Sequence, residues 1–183
     1  GGKIGRINAA SIVAIEDRDF SHSGGTNPVY ALARVRGDVG ANSTLGGVLT
    51  TREDGGDFSR LLGADMRIYH SKLYYAEFQA ARSWAKFGDN TYGGPLFKAD
   101  WDRTGRSWGF RYSFSAISEE FEAAAGFVNR VGIIQAQGFN RLTGYGEPGA
   151  LFETYGAFFG VGRFWDYADP GRGAIEGSES ISP

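Results

Sequence analysis

The chain has 183 residues, with 19 basic and 21 acidic side chains for a net charge of −2, and it contains no cysteine. This length allows one all-β domain with a sizeable core, or part of a larger domain. The near-balanced charge, without a cluster of lysine or arginine, argues against nucleic acid as a partner. The lack of cysteine excludes a disulfide framework and a cysteine metal site.

Glycine and aromatic residues dominate the composition. The 29 glycines are well above the usual share of about 7%, and phenylalanine, tyrosine and tryptophan make up 15% of the chain. These features indicate many tight turns and close-packed strands rather than a helical bundle. No run of 18 apolar residues predicts a transmembrane helix. The mean hydropathy of −0.30 is compatible with a transmembrane β-barrel, whose segments alternate in polarity.

The first half of the chain consists of alternating segments separated by turn-forming residues. Apolar and polar residues alternate over 3–17, 29–36, 44–53, 61–70 and 73–84, which predicts five strands. The segment 18–28 is rich in serine, glycine and asparagine and is predicted to be an exposed loop. Shorter connections are expected at 37–43, 54–57 and 70–72, and a loop at 87–95.

The clearest pattern is an amphipathic hairpin at 96–116. Apolar and aromatic residues alternate with polar residues or glycine in both arms, so each arm has one apolar face. The intervening segment 103–106 contains Gly105, which suits a tight turn. This stretch predicts two antiparallel strands.

The rest of the chain is less regular. We expect a loop or short helical turn at 117–130, a strand at 131–140, a loop at 141–149 and a long aromatic strand at 151–165. The segment 166–183 is predicted to be a loop or a cut end. The prediction is therefore an all-β antiparallel meander of about nine long amphipathic strands in 1–165, forming part or all of a transmembrane β-barrel.

Strand length and aromatic placement favour the membrane. Strands of soluble proteins average roughly 5–6 residues, whereas a tilted membrane-spanning strand needs about 9–11. Aromatic side chains also lie near strand ends, as in the interfacial girdles of barrels. The expected lipid-facing residues are Phe97, Trp101, Trp108, Phe110, Tyr112 and Phe114. The expected lumen-facing residues are Asp65, Arg67, Glu77, Gln79, Lys98, Asp100 and Arg111.

Several motifs resemble catalytic or binding sites but lack the required context. The glycines at 144, 146 and 149 match a dinucleotide fingerprint, yet no helix is predicted to open there. Asp100 and Asp102 resemble the start of a calcium loop, but Arg111 stands where the bidentate glutamate belongs.

The remaining candidates are equally weak. As paired carboxylates for acid/base catalysis, the candidates are Glu119, Glu120 and Glu122, which are better explained as an exposed acidic loop. As metal ligands, the candidates are His22 and His70, which are far apart in the sequence and have no partner at ligand spacing. The glycosylation sequon at 42–44 lies in a predicted turn. We predict no catalytic site, cofactor or metal.

Three stretches carry a family resemblance: ARVRGDVGANSTLGGVLTTRE at 33–53, LLGADMRIY at 61–69 and GFVNRVG at 126–132. They resemble the C-terminal barrel of an uncharacterised bacterial outer-membrane family, whose members often carry an N-terminal carbohydrate-binding module of the family-nine type. The resemblance implies a TonB-receptor-like or porin-like barrel with a link to glycan handling, and it transfers no catalytic residues. Because no such module precedes Gly1 and no aromatic residue ends the chain, we expect an internal piece of a longer barrel.

Three functions follow as hypotheses. The leading one is a segment of an outer-membrane β-barrel that contacts lipid and the rest of its own barrel, and that passes a polar solute such as a glycan. The second is a soluble β-barrel or sandwich with the apolar face turned inward around a small ligand or carbohydrate. The third is an outer-membrane hydrolase using the glutamates at 119, 120 and 122.

Overall fold

A computed structural model describes residues 1–126 and 128–183 and shows one antiparallel sheet. Its strands are β1 (Gly2–Ile4), β2 (Ile7–Ile15), β3 (Val29–Val39), β4 (Ser43–Asp54), β5 (Asp57–His70), β6 (Tyr74–Phe87), β7 (Asn90–Tyr92), β8 (Pro95–Thr104), β9 (Trp108–Ile117), β10 (Ile133–Tyr145), β11 (Thr154–Asp166) and β12 (Glu176–Ser182). Two single 3-10 turns, Arg18–Phe20 and Pro170–Arg172, complete the assigned elements. Across the described ranges, no helix has the length and apolar character needed to cross a membrane.

The strands form a meander in which sequence neighbours are also spatial neighbours. The order runs from β1 to β12 with β6 beside β8, and β7 pairs only with β6. This confirms the predicted all-β antiparallel meander. The described residues do not close the sheet into a barrel, because β1 and β12 lie at opposite edges.

The described residues form twelve strands rather than about nine. The segment 3–17 is two strands, because Gly5 adopts a positive φ of +57° and turns the chain between β1 and β2. The expected loop at 87–95 contains the short strand β7.

The prediction of a loop or a cut end over 166–183 is corrected in part: 167–175 is a loop, but 176–182 is a strand. The tail forms β12, which pairs with β11 from Phe158↔Ser182 to Phe164↔Glu176. Its side chains are mostly glycine, serine and glutamate, so it carries no apolar alternation. Backbone hydrogen bonds to β11 hold this edge strand, together with the salt bridges Arg163–Glu179 and Arg130–Glu176.

The two ends of the sheet differ in their connections. One, the short-turn end, carries the turns 40–42, 71–73 and 105–107 and the loop 146–153. The other, the long-loop end, carries the loops 16–28, 118–132 and 167–175, together with the tight turn 55–56 and the β7 connection. The segment 117–130, expected to be a loop or short helical turn, is a loop in its described residues after Ile117, which ends β9. Phe127, part of the resemblance at 126–132, lies outside the described residues.

Strand register assigns every side chain to one of two faces, because residues directly opposite in an antiparallel pair point the same way. The predicted hairpin at 96–116 is β8 and β9, paired from Leu96↔Ile117 to Thr104↔Gly109. We call the face that contains Phe97 the apolar face, and the one that contains Lys98 the polar face. A small buried cluster lies on the polar face at the long-loop end and consists of Ala85, Ile117, Phe121 and Ile133.

Candidate functional site

The six side chains expected to face lipid all lie on the apolar face. Register places Phe97, Trp101, Trp108, Phe110, Tyr112 and Phe114 there. Phe110 is 4% exposed because it stacks on Tyr112 at 4.7 Å and meets the edge of Trp101 at 4.8 Å. The other five are about half-exposed. The hairpin therefore presents a continuous aromatic surface rather than a buried core.

The apolar face continues across the sheet from β2 to β11. Val13 is 67% exposed on β2, Leu62 is 56% exposed on β5 and Phe159 is 40% exposed on β11. A large exposed apolar surface on a folded chain indicates a contact with another protein or with a membrane.

From β2 to β10, charged side chains bound this apolar surface instead of interrupting it, whereas on β11 Arg163 lies on the apolar face opposite Ala136. On β5 the apolar-face residues between Arg60 and His70 are uncharged, and Arg82 and Arg103 lie near the ends of β6 and β8. Arginine at such positions can extend its head group towards water while its stem remains on apolar surface. The edge strand β12 departs from this pattern, since Glu179 lies opposite Val161.

The seven side chains expected to face a lumen all lie on the polar face. These are Asp65, Arg67, Glu77, Gln79, Lys98, Asp100 and Arg111. Together with their neighbours they form a ladder of ion pairs across β3 to β9.

The pairs in this ladder join different strands: Arg67 on β5 and Glu77 on β6 are on neighbouring strands, whereas Arg34 on β3 reaches across β4 to Asp65 on β5. Arg34 donates to Asp65 at 2.8 Å and Arg67 donates to Glu77 at 3.0 Å. Asp100 accepts from Ser113 at 2.7 Å. Within the described part of the chain, Lys98 has no salt-bridge partner within 4.0 Å.

A buried carboxylate at the long-loop end fastens the loop 16–28 to the sheet. Asp54, the last residue of β4, is 0% exposed. It accepts hydrogen bonds from the Ser21 hydroxyl at 2.5 Å, the His22 amide at 2.8 Å and the Ser23 hydroxyl at 3.0 Å. Arg52 adds a salt bridge at 3.0 Å. Asp54 therefore joins residues about thirty positions apart in the chain.

These donors determine the ionisation of Asp54. The Ser21 hydroxyl has the largest effect and, with the His22 amide, Ser23 and Arg52, it holds the pKa of the Asp54 carboxyl well below its usual range, although burial acts in the opposite direction. The sequence alone does not reveal this site, because residues 54–57 have the pattern of a glycine-rich turn. The loop 16–28 is visibly rich in serine, but no neighbouring residue in the sequence indicates which carboxylate the serine hydroxyls bind.

The loop 118–126 folds onto the polar face through Ser83. The Ser83 side chain is fully buried, and its hydroxyl oxygen accepts from the Glu122 amide at 3.1 Å and the Gly94 amide at 3.3 Å. Phe121, 5% exposed, fills the adjacent apolar cluster. Gly94 allows this close approach, since a Cβ there would lie 2.5 Å from the Cβ of Ser118.

The loops 16–28 and 118–126 border a cleft of about 590 Å³ at the long-loop end. Its aromatic lining is Phe20, His22, Tyr30, Phe58, Phe87 and Tyr92, and its charged lining is Glu16, Arg52, Asp57, Lys86 and Glu122. The Tyr92 hydroxyl donates to Glu122. This hydrogen bond, followed by burial, raises the pKa of Tyr92 to about 12, so the phenol remains a donor.

The structure does not assemble the other sequence candidates into a site. Glu122 lines the cleft, whereas Glu119 and Glu120 are exposed outside its lining. His22 lies at the long-loop end and His70 at the end of β5, near the short turns. Gly144 belongs to β10 rather than to a helix start. In the residues described, no three histidine or carboxylate side chains are grouped as metal ligands.

Comparison with known proteins adds no relative. No protein-family model, curated protein or solved structure matches the chain. Function must therefore be argued from the two faces and the cleft.

Proposed function

We propose that the sheet is part of a bacterial outer-membrane β-barrel, with its apolar face against lipid and its polar face lining an aqueous path for a polar solute. The observation that carries the proposal is the exposed apolar face extending over β2 to β11. A surface of this extent is stable only when something apolar covers it.

The length of the uncharged band supports a bilayer as that cover. On β5 the apolar face is uncharged over the nine-residue stretch 61–69, between Arg60 and His70, where it carries Leu62, Ala64, Met66 and Ile68. About 9–11 residues of a tilted strand cross the hydrocarbon core. Strands β5, β6, β10 and β11 each contain 13 or 14 residues. They therefore extend beyond such a band into the interfaces.

The charged composition of the polar face supports a water-filled barrel interior. Charges of both signs face each other there, as in Arg34–Asp65 and Arg67–Glu77, and barrel interiors that carry water are polar. An aqueous path lined in this way favours a hydrated polar solute over an apolar one. A glycan belongs to this solute class.

The open edges support completion by further strands. Unpaired backbone groups are not tolerated in hydrocarbon, because no water is available to satisfy them. In the proposed barrel, additional strands, from the same polypeptide or from a partner, pair with the edges at β1 and β12. Barrels of this class place short turns in the periplasm and long loops outside, so the long-loop end is proposed to face the exterior.

Refolding tests the proposal. The chain is refolded from urea into detergent micelles or into buffer alone, and its state is followed by circular dichroism and size-exclusion chromatography. We expect a β-rich, monodisperse species only with detergent, because water does not solvate the apolar face. A β-rich soluble monomer in buffer alone would overturn the proposal and favour the soluble ligand-binding alternative.

A further inference from the structure

The cleft at the long-loop end contains two matched tyrosine–glutamate pairs, one beside each bordering loop. The Tyr30 hydroxyl donates to Oε2 of Glu16 at 3.1 Å, and the Tyr92 hydroxyl donates to Oε2 of Glu122. In the described part of the chain, neither Oε1 accepts a hydrogen bond. Each pair therefore offers an oriented carboxylate oxygen to the cleft.

The cationic side chains of the cleft do not neutralise these carboxylates. Arg52 donates through Nε to Tyr30 at 2.9 Å and through Nη2 to the buried Asp54 at 3.0 Å, so its charge is matched within the protein. The other lining charges are three carboxylates, of Glu16, Asp57 and Glu122, against the single ammonium of Lys86. The lining thus carries an excess of negative charge.

Aromatic rings supply the remaining walls. His22 and Phe87 meet edge to face at 5.2 Å, and Phe20 and Phe58 also line the cleft. The faces of phenylalanine and tyrosine rings attract cations, and this attraction strengthens when the cation is desolvated. Aromatic walls combined with excess carboxylate charge match a ligand that is both positively charged and partly apolar.

We propose that this cleft binds a small organic cation, either an amine or a quaternary ammonium compound, between the two tyrosine–glutamate pairs. The cleft volume of about 590 Å³ lies within the usual range for small-molecule sites, about 300–1,000 Å³. A neutral sugar would use the rings but not the excess negative charge, and an anion would be repelled by it. The inference depends on the cleft alone and is independent of whether the apolar face meets lipid.

Isothermal titration calorimetry on the refolded full chain tests the inference, with choline as the cation and 3,3-dimethylbutan-1-ol as its neutral isostere. We expect choline to bind at least about tenfold more tightly than the alcohol. Equal affinities, tighter binding of glucose than of choline, or no choline binding up to about 10 mM would overturn the proposal.

Variants locate the binding to the cleft. The double variant Glu16→Gln with Glu122→Gln keeps an oxygen acceptor for each tyrosine but removes both charges. It should weaken choline binding at least about tenfold, whereas Glu147→Gln, in the loop at the opposite end, should leave it unchanged. Phe87→Leu provides a second variant that keeps both charges and should also weaken binding. Circular dichroism checks folding, and wild-type affinity in both cleft variants would contradict the assignment.

Discussion

At the scale of single residues, Asp54 connects the loop 16–28 to the end of β4. It is fully buried and is surrounded by donors from Ser21, His22, Ser23 and Arg52. Burial of a carboxylate is unfavourable unless hydrogen bonds and an opposite charge compensate it, and Asp54 has both. We therefore interpret Asp54 as the anchor that positions one wall of the cleft.

The ionisation of Asp54 predicts how the loop 16–28 responds to acid. Its folded pKa is depressed, so its contribution to stability is fully present above the unfolded value of about 3.9. That contribution is lost as the pH falls from there through the folded pKa. Hydrogen exchange of the loop amides, corrected for intrinsic rates, should show protection at pH 5 that decreases progressively below pH 4.

Replacement of Asp54 by asparagine should abolish that protection at neutral pH, because the amide removes the charge that pairs with Arg52 and replaces one acceptor with a donor. The matched control is Asp89→Asn in the exposed connection between β6 and β7, which should leave the loop protected. Wild-type exchange in Asp54→Asn would show that the carboxylate does not anchor the loop.

At the scale of elements, the loop 118–126 is attached to β6 by one hydroxyl. Ser83 accepts from the amides of Glu122 and Gly94, and Phe121 packs beside it. Sequence analysis predicted this segment as a loop or short helical turn. It could not predict the attachment, because Ser83 is 39 residues from Glu122 and resembles any other polar residue of an alternating strand.

Ser83→Ala should destabilise the fold by about 1–3 kcal/mol, because the buried Gly94 amide and the part-buried Glu122 amide lose their acceptor. The loss should appear in urea unfolding followed by tryptophan fluorescence, in the medium used for refolding. Ser11→Ala, at an exposed position of β2, should change the free energy of unfolding by less than about 0.5 kcal/mol. Equal effects of the two substitutions would contradict the role given to Ser83.

At the scale of the whole molecule, substitution by arginine should have a different effect on each face of the sheet. Phe78 and Gln79 are adjacent on β6, yet register places Phe78 opposite Ala99 on the apolar face and Gln79 opposite Lys98 on the polar face. Gln79 also donates to Glu77 at 2.9 Å. An arginine at 79 would thus have water and a carboxylate nearby.

In lipid vesicles, Phe78→Arg should destabilise the fold by about 2–4 kcal/mol, as expected for arginine at the bilayer midplane, and Gln79→Arg should be nearly neutral. The measurement is the urea dependence of folding into vesicles. If both variants unfold like the wild type, the apolar face does not contact hydrocarbon. If only Gln79→Arg is destabilised, the assignment of the faces is reversed.

The sequence by itself determined the fold class and the composition of the two faces. Phe97 and Trp101 separate from Lys98 and Asp100 because side chains alternate every residue along a strand, which is a local property. Patterning also located the hairpin β8–β9 and most long strands.

Only the tertiary structure decided what depends on pairing between distant residues. The strands β7 and β12 form because a neighbouring strand supplies hydrogen bonds, not because their own side chains alternate. The open edges, the anchor at Asp54 and the cleft likewise arise from contacts such as Ser21–Asp54 and Tyr92–Glu122, which span 33 and 30 residues. Such contacts leave no periodic signal along the chain, because they are established only when the folded sheet brings its loops together.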